Sequence, residues 1–202
     1  MRRVAGIIVA GGEGRRLGGQ KPLQGFGQGV LLDAVIDRVG PQVAALALNV
    51  PPAEAVLYRA RYPLPLLFDP FDSQCGPLGG VLAGLEWLAG GNDFDWLATF
   101  PCDTPFLPRD LVSQFLAASR PDAPVMARAG DRTHGLCALW PISSGSQLRA
   151  GIASGALCSM TSALDAFGGA FCDIACAEDA FLNINTPETL ALARALANSR
   201  AP

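Results

Sequence analysis

The chain has 202 residues, half of them hydrophobic and 16% charged, with a formal net charge of −3. That length suits one domain, residues 1–202, with a single substantial core, and the composition excludes a disordered chain. The slightly acidic balance argues against a nucleic-acid partner or a membrane surface, and no apolar run approaches the roughly 18 residues of a membrane span.

Arg2 and Arg3 precede an apolar run, as in an export signal, but that run is short and ends in glycines, so a cytoplasmic protein is expected. The cysteines at 75, 102, 137, 158, 172 and 176 contain no C-x-x-C pair and read as reduced thiols.

The apolar run Val4–Ala10 reads as a buried strand, and it leads directly into Gly11-Gly12-Glu13-Gly14-Arg15-Arg16-Leu17-Gly18-Gly19-Gln20-Lys21. Glycines let the backbone approach a ligand closely, and the cations neutralise an anion. Polyphosphate binding is expected; the alternative is a flexible turn with solvated arginines. The loop is not a Walker A motif, because Gln20 separates Gly19 from Lys21 and Pro22 follows. Nor is it a dinucleotide fingerprint, because Leu17 stands where the third glycine belongs.

Helical spacing over Val30–Val39 stops at Gly40-Pro41. A second strand is expected from Val43 to Leu48, ending at Asn49, and a helix from Pro52 to Arg61. A short third strand, Leu64 to Phe68, ends at Asp69. A loop reaches Gly76-Pro77-Leu78, then a helix runs from Gly79 to Leu88. The fourth strand, Phe94 to Phe100, ends at Pro101-Cys102-Asp103, and Pro108–Ala118 reads as a helix. Val125–Arg128 and Leu136–Trp140 read as strands, the latter antiparallel. Weaker helical patterns occupy 144–167, and a last helix runs from Thr186-Pro187-Glu188 to about Asn198, with Thr186 as its cap.

Alternating strands and helices predict a mainly parallel α/β sheet covered on both faces, with the ligand beyond the carboxyl ends of the strands. Those ends deliver the glycine loop, Asn49, Asp69 and Asp103 to one edge. Asp103 could hold Mg²⁺ or cap a turn. Asn49 and Asp69 could read a base, since a carboxylate accepts the paired N–H groups of guanine, or could be turn residues. His134, the one histidine, could contact substrate, act as a base, or be structural. Asn183 and Asn185, before the last helix, could meet an anion or a metal, or form turns.

Together, Val9-Ala10-Gly11-Gly12, Arg15-Arg16-Leu17-Gly18, Lys21, Gly76-Pro77-Leu78, Pro101-Cys102-Asp103-Thr104-Pro105 and Asn183-Ile184-Asn185-Thr186-Pro187-Glu188 resemble the molybdenum cofactor guanylyltransferases. The Gly-Gly pair of the first motif is similar to the guanylyl enzymes rather than to their cytidylyl relatives. The resemblance implies a three-layer Rossmann-like nucleotidyltransferase fold that joins GMP from GTP to molybdopterin and releases pyrophosphate. It also implies Mg²⁺ as cofactor, and cofactor-delivery proteins or molybdoenzymes as partners.

By position, the resemblance places Val9, Ala10, Gly11 and Gly12 beside the nucleotide, Lys21 on its phosphates, and Asn49 and Asp69 on guanine. It places Asp103 on GTP and the metal, His134 on the acceptor, and Asn183 and Asn185 near the pterin or the metal. Arg15 or Arg16 would stabilise triphosphate charge, Arg16 being the candidate catalytic residue with Lys21 and Asp103.

The chain departs from the family pattern where Gln20 replaces an acidic residue, where Gly135 replaces a proline, and in the glycine-rich Gly25–Gly29. A different acceptor or base, as in a cytidylyl or sugar-1-phosphate enzyme, and a non-catalytic nucleotide-binding regulator are the alternatives.

Overall fold

The computed structural model describes residues 3–11, 20–71, 75–91 and 93–200. Gly12, Arg15 and Arg16, expected at the nucleotide, lie outside the described residues.

Strand β1 (Val4–Val9) is buried along its whole length, as a β-branched run between two layers should be. Val4 and Ile8 enter one core and Ala5 and Ile7 the other, so both faces of the strand are covered. Beside β1 lie β4 (Ala45–Asn49) and β6 (Trp96–Pro101), both parallel to it. The short β5 (Leu66–Leu67) extends the sheet beyond β4. On the other side, β8 (Arg132–Pro141) runs antiparallel to both β6 and β7 (Val125–Ala129). β9 (Ala170–Asp173) closes that side, parallel to β7. The order is β5-β4-β1-β6-β8-β7-β9, a mainly parallel sheet as expected.

Helices α1 (Leu31–Val39), α2 (Ala55–Arg61) and α4 (Leu111–Ala118) supply Leu32, Val35, Tyr58, Leu111 and Phe115 to one core. Helices α3 (Leu78–Leu88), α5 (Gly145–Ala153) and α6 (Met160–Ala166) supply Leu82, Leu85, Leu148 and Leu164 to the opposite core. The arrangement has the three layers expected.

A third, smaller core of Phe26, Leu31, Phe106, Ile184, Leu190 and Ala193 pins α7 (Pro187–Ser199) beside the loop that follows β6. Thr186 caps α7 by accepting from the Thr189 amide at 3.3 Å, and Pro187 opens the helix. This is the start the sequence predicts.

The glycine-rich lead-in to α1 is a small hairpin, β2 (Gly25–Phe26) and β3 (Gly29–Val30). Gly27 turns it at φ 58°, a conformation that a side chain would penalise. Phe26 then reaches Phe106 edge-on, with ring centroids 6.0 Å apart.

β8 begins earlier than expected, so His134 lies in a strand, opposite Ala127. The register jumps from Ala138 opposite Met126 to His134 opposite Ala127, leaving Gly135–Cys137 as an unpaired bulge. A Cβ on Gly135 would come within 3.2 Å of Met160 Cβ, so glycine here lets α6 lie against the strand.

The imidazole of His134 stacks on Phe181, with ring centroids 4.0 Å apart and planes 17° from parallel. Burial, aided by the charge of Arg132, pushes its pKa below the ordinary histidine value. On unfolding the ordinary value returns, so the unfolded chain takes up the proton first as the pH falls through about 6.5. The fold is therefore expected to lose stability between about pH 7.5 and about pH 5.5, and His134→Gln to lose much less. Urea unfolding of both proteins at the two pH values measures it.

Candidate active site

The carboxyl ends of the parallel strands β1, β4, β5 and β6 share one edge, which carries two polar groupings. The first is built around Asn49 and Asp69. The Ala10 amide donates to the Asn49 carbonyl at 2.8 Å, joining the end of β1 to the end of β4. The Asn49 side chain is buried, and its Nδ2 donates to Asp69 Oδ1 at 2.8 Å and to the Leu67 carbonyl at 3.4 Å. Asp69 itself is exposed. The buried amide thus holds one oxygen of an exposed carboxylate.

Helix α3 meets this pair end-on. A Cβ on Gly79 would stand 2.6 Å from Asp69 Oδ2, and one on Gly80 would stand 2.6 Å from Asn49 Oδ1 and 2.9 Å from Val9 Cγ2. Only glycine permits that approach. It brings the positive end of the helix dipole against the carboxylate. Gly11 borders the same group: a Cβ there would lie 3.8 Å from Asn49 Oδ1.

The second grouping gathers on Lys21. Gln20 adopts a left-handed conformation, φ 47° and ψ 43°, unusual for a residue with a side chain. A 3-10 turn over Lys21–Leu23 then directs Lys21 inward, leaving it 8% exposed. Its Nζ donates to Asp103 Oδ2, to Asn185 Oδ1, and at 3.4 Å to Asn183 Oδ1.

The two asparagines flank Ile184, which is fully buried in the third core. The Ile184 amide donates to the Asp103 carbonyl at 3.0 Å. Alternation along this short extended stretch turns one residue into the core and its neighbours toward Lys21. The other oxygen of Asp103, Oδ1, is buried with no hydrogen-bond partner among the described residues, as is the hydroxyl of Thr104.

A cavity of 240 Å³ opens beside Asp103, between Asn183 and Phe181 on one side and Thr133–Cys137 on the other. A larger cavity of 680 Å³ shares His134, Phe181 and Asn183 with it and extends to Arg132 and Thr189. The stacked His134–Phe181 pair forms the wall common to both, and the bulge in β8 lines the smaller one.

Cys102 and Cys137 lie buried next to this region. Burial, reinforced by Asp103, pushes the Cys102 thiol up to about 12, and burial pushes Cys137 up as well. Neither is a thiolate near neutral pH. The described cysteines are all free thiols.

The expected residues therefore fall into three places. Val9, Ala10, Gly11, Asn49 and Asp69 meet at the ends of β1 and β4. Lys21, Asp103, Asn183 and Asn185 converge on one charge. His134 lines the cavity beside Asp103. Three contributors are not evident from residue type: the Gly79-Gly80 pair, the Phe181 plate, and the supporting position of Asn49 behind Asp69. Adjacent glycines at the start of a helix, where glycine is disfavoured, were the available signal for the first.

Residues 6–168 match the MobA-like NTP transferase domain. A molybdenum cofactor guanylyltransferase from Cereibacter sphaeroides is 43% identical over 199 residues, covering 96% of this chain and 97% of that protein. Among solved structures, molybdopterin-guanine dinucleotide biosynthesis protein A from Archaeoglobus fulgidus superposes with a TM-score of 0.77 at 19% identity, covering 96% of this chain and 99% of that one. A Mycobacterium tuberculosis protein in complex with manganese superposes with a TM-score of 0.67 at 13% identity, covering 96% of this chain and 98% of that one. The two structural likenesses show that the α/β fold is shared, and no described helix is long and apolar enough to cross a membrane. The family match and the near-full-length relative carry the assignment further: the chain belongs to the MobA-like NTP transferase family, among the molybdenum cofactor guanylyltransferases.

Proposed function

We propose that this protein transfers GMP from GTP to molybdopterin, with Mg²⁺ at Asp103, and releases pyrophosphate. The observation that carries the reading is the convergence of Lys21, Asp103, Asn183 and Asn185 on the strand edge that also holds the Asn49–Asp69 pair. One grouping suits phosphates and a cation; the other suits the edge of a base.

The transfer needs little covalent help from the protein. A terminal phosphate oxygen of molybdopterin attacks the α-phosphorus of GTP, and the bond to the departing pyrophosphate breaks. Both reactants are anions, so the requirement is positioning and suppression of charge repulsion. Lys21 supplies a cation to the phosphates, with Arg16 as the further candidate from the glycine loop.

Asp103 fits a hard divalent cation, since its buried Oδ1 has no partner among the described residues and amide oxygens stand beside its Oδ2. Among the described residues no three of His, Cys, Asp or Glu come together. That suits a metal held by one carboxylate and completed by substrate phosphates. When bound, the metal supplies positive charge against the phosphate oxygens.

Guanine presents N1–H and N2–H₂ on one edge, which the exposed Asp69 carboxylate accepts. Asn49 keeps that carboxylate oriented from below. The acceptor occupies the cavity walled by His134, Phe181 and Asn183, where an imidazole held neutral by burial adds no charge against a planar ligand. Recipient molybdoenzymes or cofactor-delivery proteins complete the reading, and the free thiols suit a cytoplasmic location.

Replacing the metal-holding carboxylate tests the catalytic assignment. Asp103→Ala is expected to fold and to lose at least about 10²-fold in pyrophosphate release with GTP, Mg²⁺ and molybdopterin, the scale of removing one charge-stabilising group. Near-normal Mg²⁺-dependent turnover in the folded variant overturns it.

Base choice is tested at the other grouping. Asp69→Asn is expected to weaken GTP binding by about 2 kcal/mol, or roughly 30-fold, and to narrow its margin over CTP and ATP. Titration of both proteins with the three nucleotides measures the effect. A wild type that prefers CTP overturns the guanylyl reading.

A further inference from the structure

Lys21 faces the wrong way for the task just assigned to it. An ammonium has three donors, and here Asp103, Asn183 and Asn185 each offer an oxygen to it. While those contacts stand, no N–H of Lys21 is left for a phosphate. The set that holds it is also telling. One carboxylate oxygen and two amide oxygens are hard ligands of the kind that bind magnesium, manganese or calcium. A second Asp103 oxygen waits beside them, buried and without a partner. The protein has therefore built a cation seat and placed its own cation in it.

We propose that Lys21 is an internal stand-in for the divalent metal. In the nucleotide-free protein its ammonium neutralises Asp103 and keeps the seat of Asp103, Asn183 and Asn185 assembled. The metal takes that seat, with Asn183 and Asn185 as oxygen ligands alongside Asp103. Lys21 swings out on its flexible stem to the nucleotide phosphates.

Two cations cannot share the seat, so lysine and metal compete. The phosphates resolve the competition by giving Lys21 another anion. Metal binding without nucleotide is consequently weak, and the cation enters productively only when the triphosphate is present. The exchange also explains why the two asparagines are held so firmly by the buried Ile184 between them: the seat must keep its shape while its occupant changes. This inference rests on the reading of Asp103 as a metal ligand.

The test is Mn²⁺ binding to the nucleotide-free protein, followed by the electron paramagnetic resonance signal of the free ion. Lys21→Met and Lys21→Gln are expected to bind Mn²⁺ at least about tenfold more tightly than wild type, because a competing positive charge is gone. Mn²⁺ should also raise their melting temperatures more than that of wild type. Adding Asp103→Asn or Asn185→Leu to either variant should abolish the gain. A loss confined to the Asp103→Asn double variant overturns the ligand role of Asn185. Equal Mn²⁺ affinity in wild type and both Lys21 variants overturns the exchange while leaving Asp103 as a metal ligand. No Mn²⁺ binding by any of the proteins, with GTP present or absent, overturns the metal reading of Asp103 and the exchange together.

Discussion

The contact on which the site depends is the one between Lys21 and Asp103. It joins residues 82 positions apart, and through Asn185 it reaches 164 positions along the chain. A lone buried ammonium or carboxylate would be costly. Paired, they compensate each other, and the asparagines use the ammonium's remaining donors. The rest of the local structure serves this meeting. The left-handed Gln20 turns the chain inward, β6 delivers Asp103 from the centre of the sheet, and the third core fixes the approach of residues 183–185.

The Asn49–Asp69 pair is arranged on the opposite principle. There a buried neutral amide supports an exposed charge, and the glycines of α3 bring a helix end up to it. One grouping buries its charges against each other, while the other displays its charge to solvent. That contrast suits a phosphate and metal centre in the first case and a recognition group in the second.

Much of this was legible from residue order. The apolar runs at Val4–Ala10 and Trp96–Phe100 read as buried strands, and the ends of parallel neighbours lie on one edge. Residue order alone therefore sets Asp103 on the same edge as Gly11, where the glycine loop begins. Thr186-Pro187 marks its helix start unambiguously, because cap and first-turn proline act locally.

What escaped is tertiary. β9 is four residues long, with Phe171 exposed at the edge of the sheet, too short for alternation to declare itself. The hairpin at Gly25–Val30 reads only as excess glycine until Phe26 has Phe106 to pack against. His134 sits in polar surroundings in sequence, and only the bulge in β8 shows that it is strand and that Phe181 covers its ring. Asn49 reads as a ligand group, and only the structure shows that it is buried with its amide donating to Asp69.

The place of Ile184 in the chain has a consequence for how the protein comes into being. During synthesis the amino-terminal end emerges first, and β1, β4 and β6 can pair and bury their faces while the remainder is still being made. The cation seat cannot. Asn183 and Asn185 are held by a residue that packs against Leu190 and Ala193, so they settle only after α7 has docked. A nascent chain with a finished sheet therefore carries Asp103 and Lys21 without their asparagine partners. The meeting of these four side chains therefore waits on α7 rather than on the sheet.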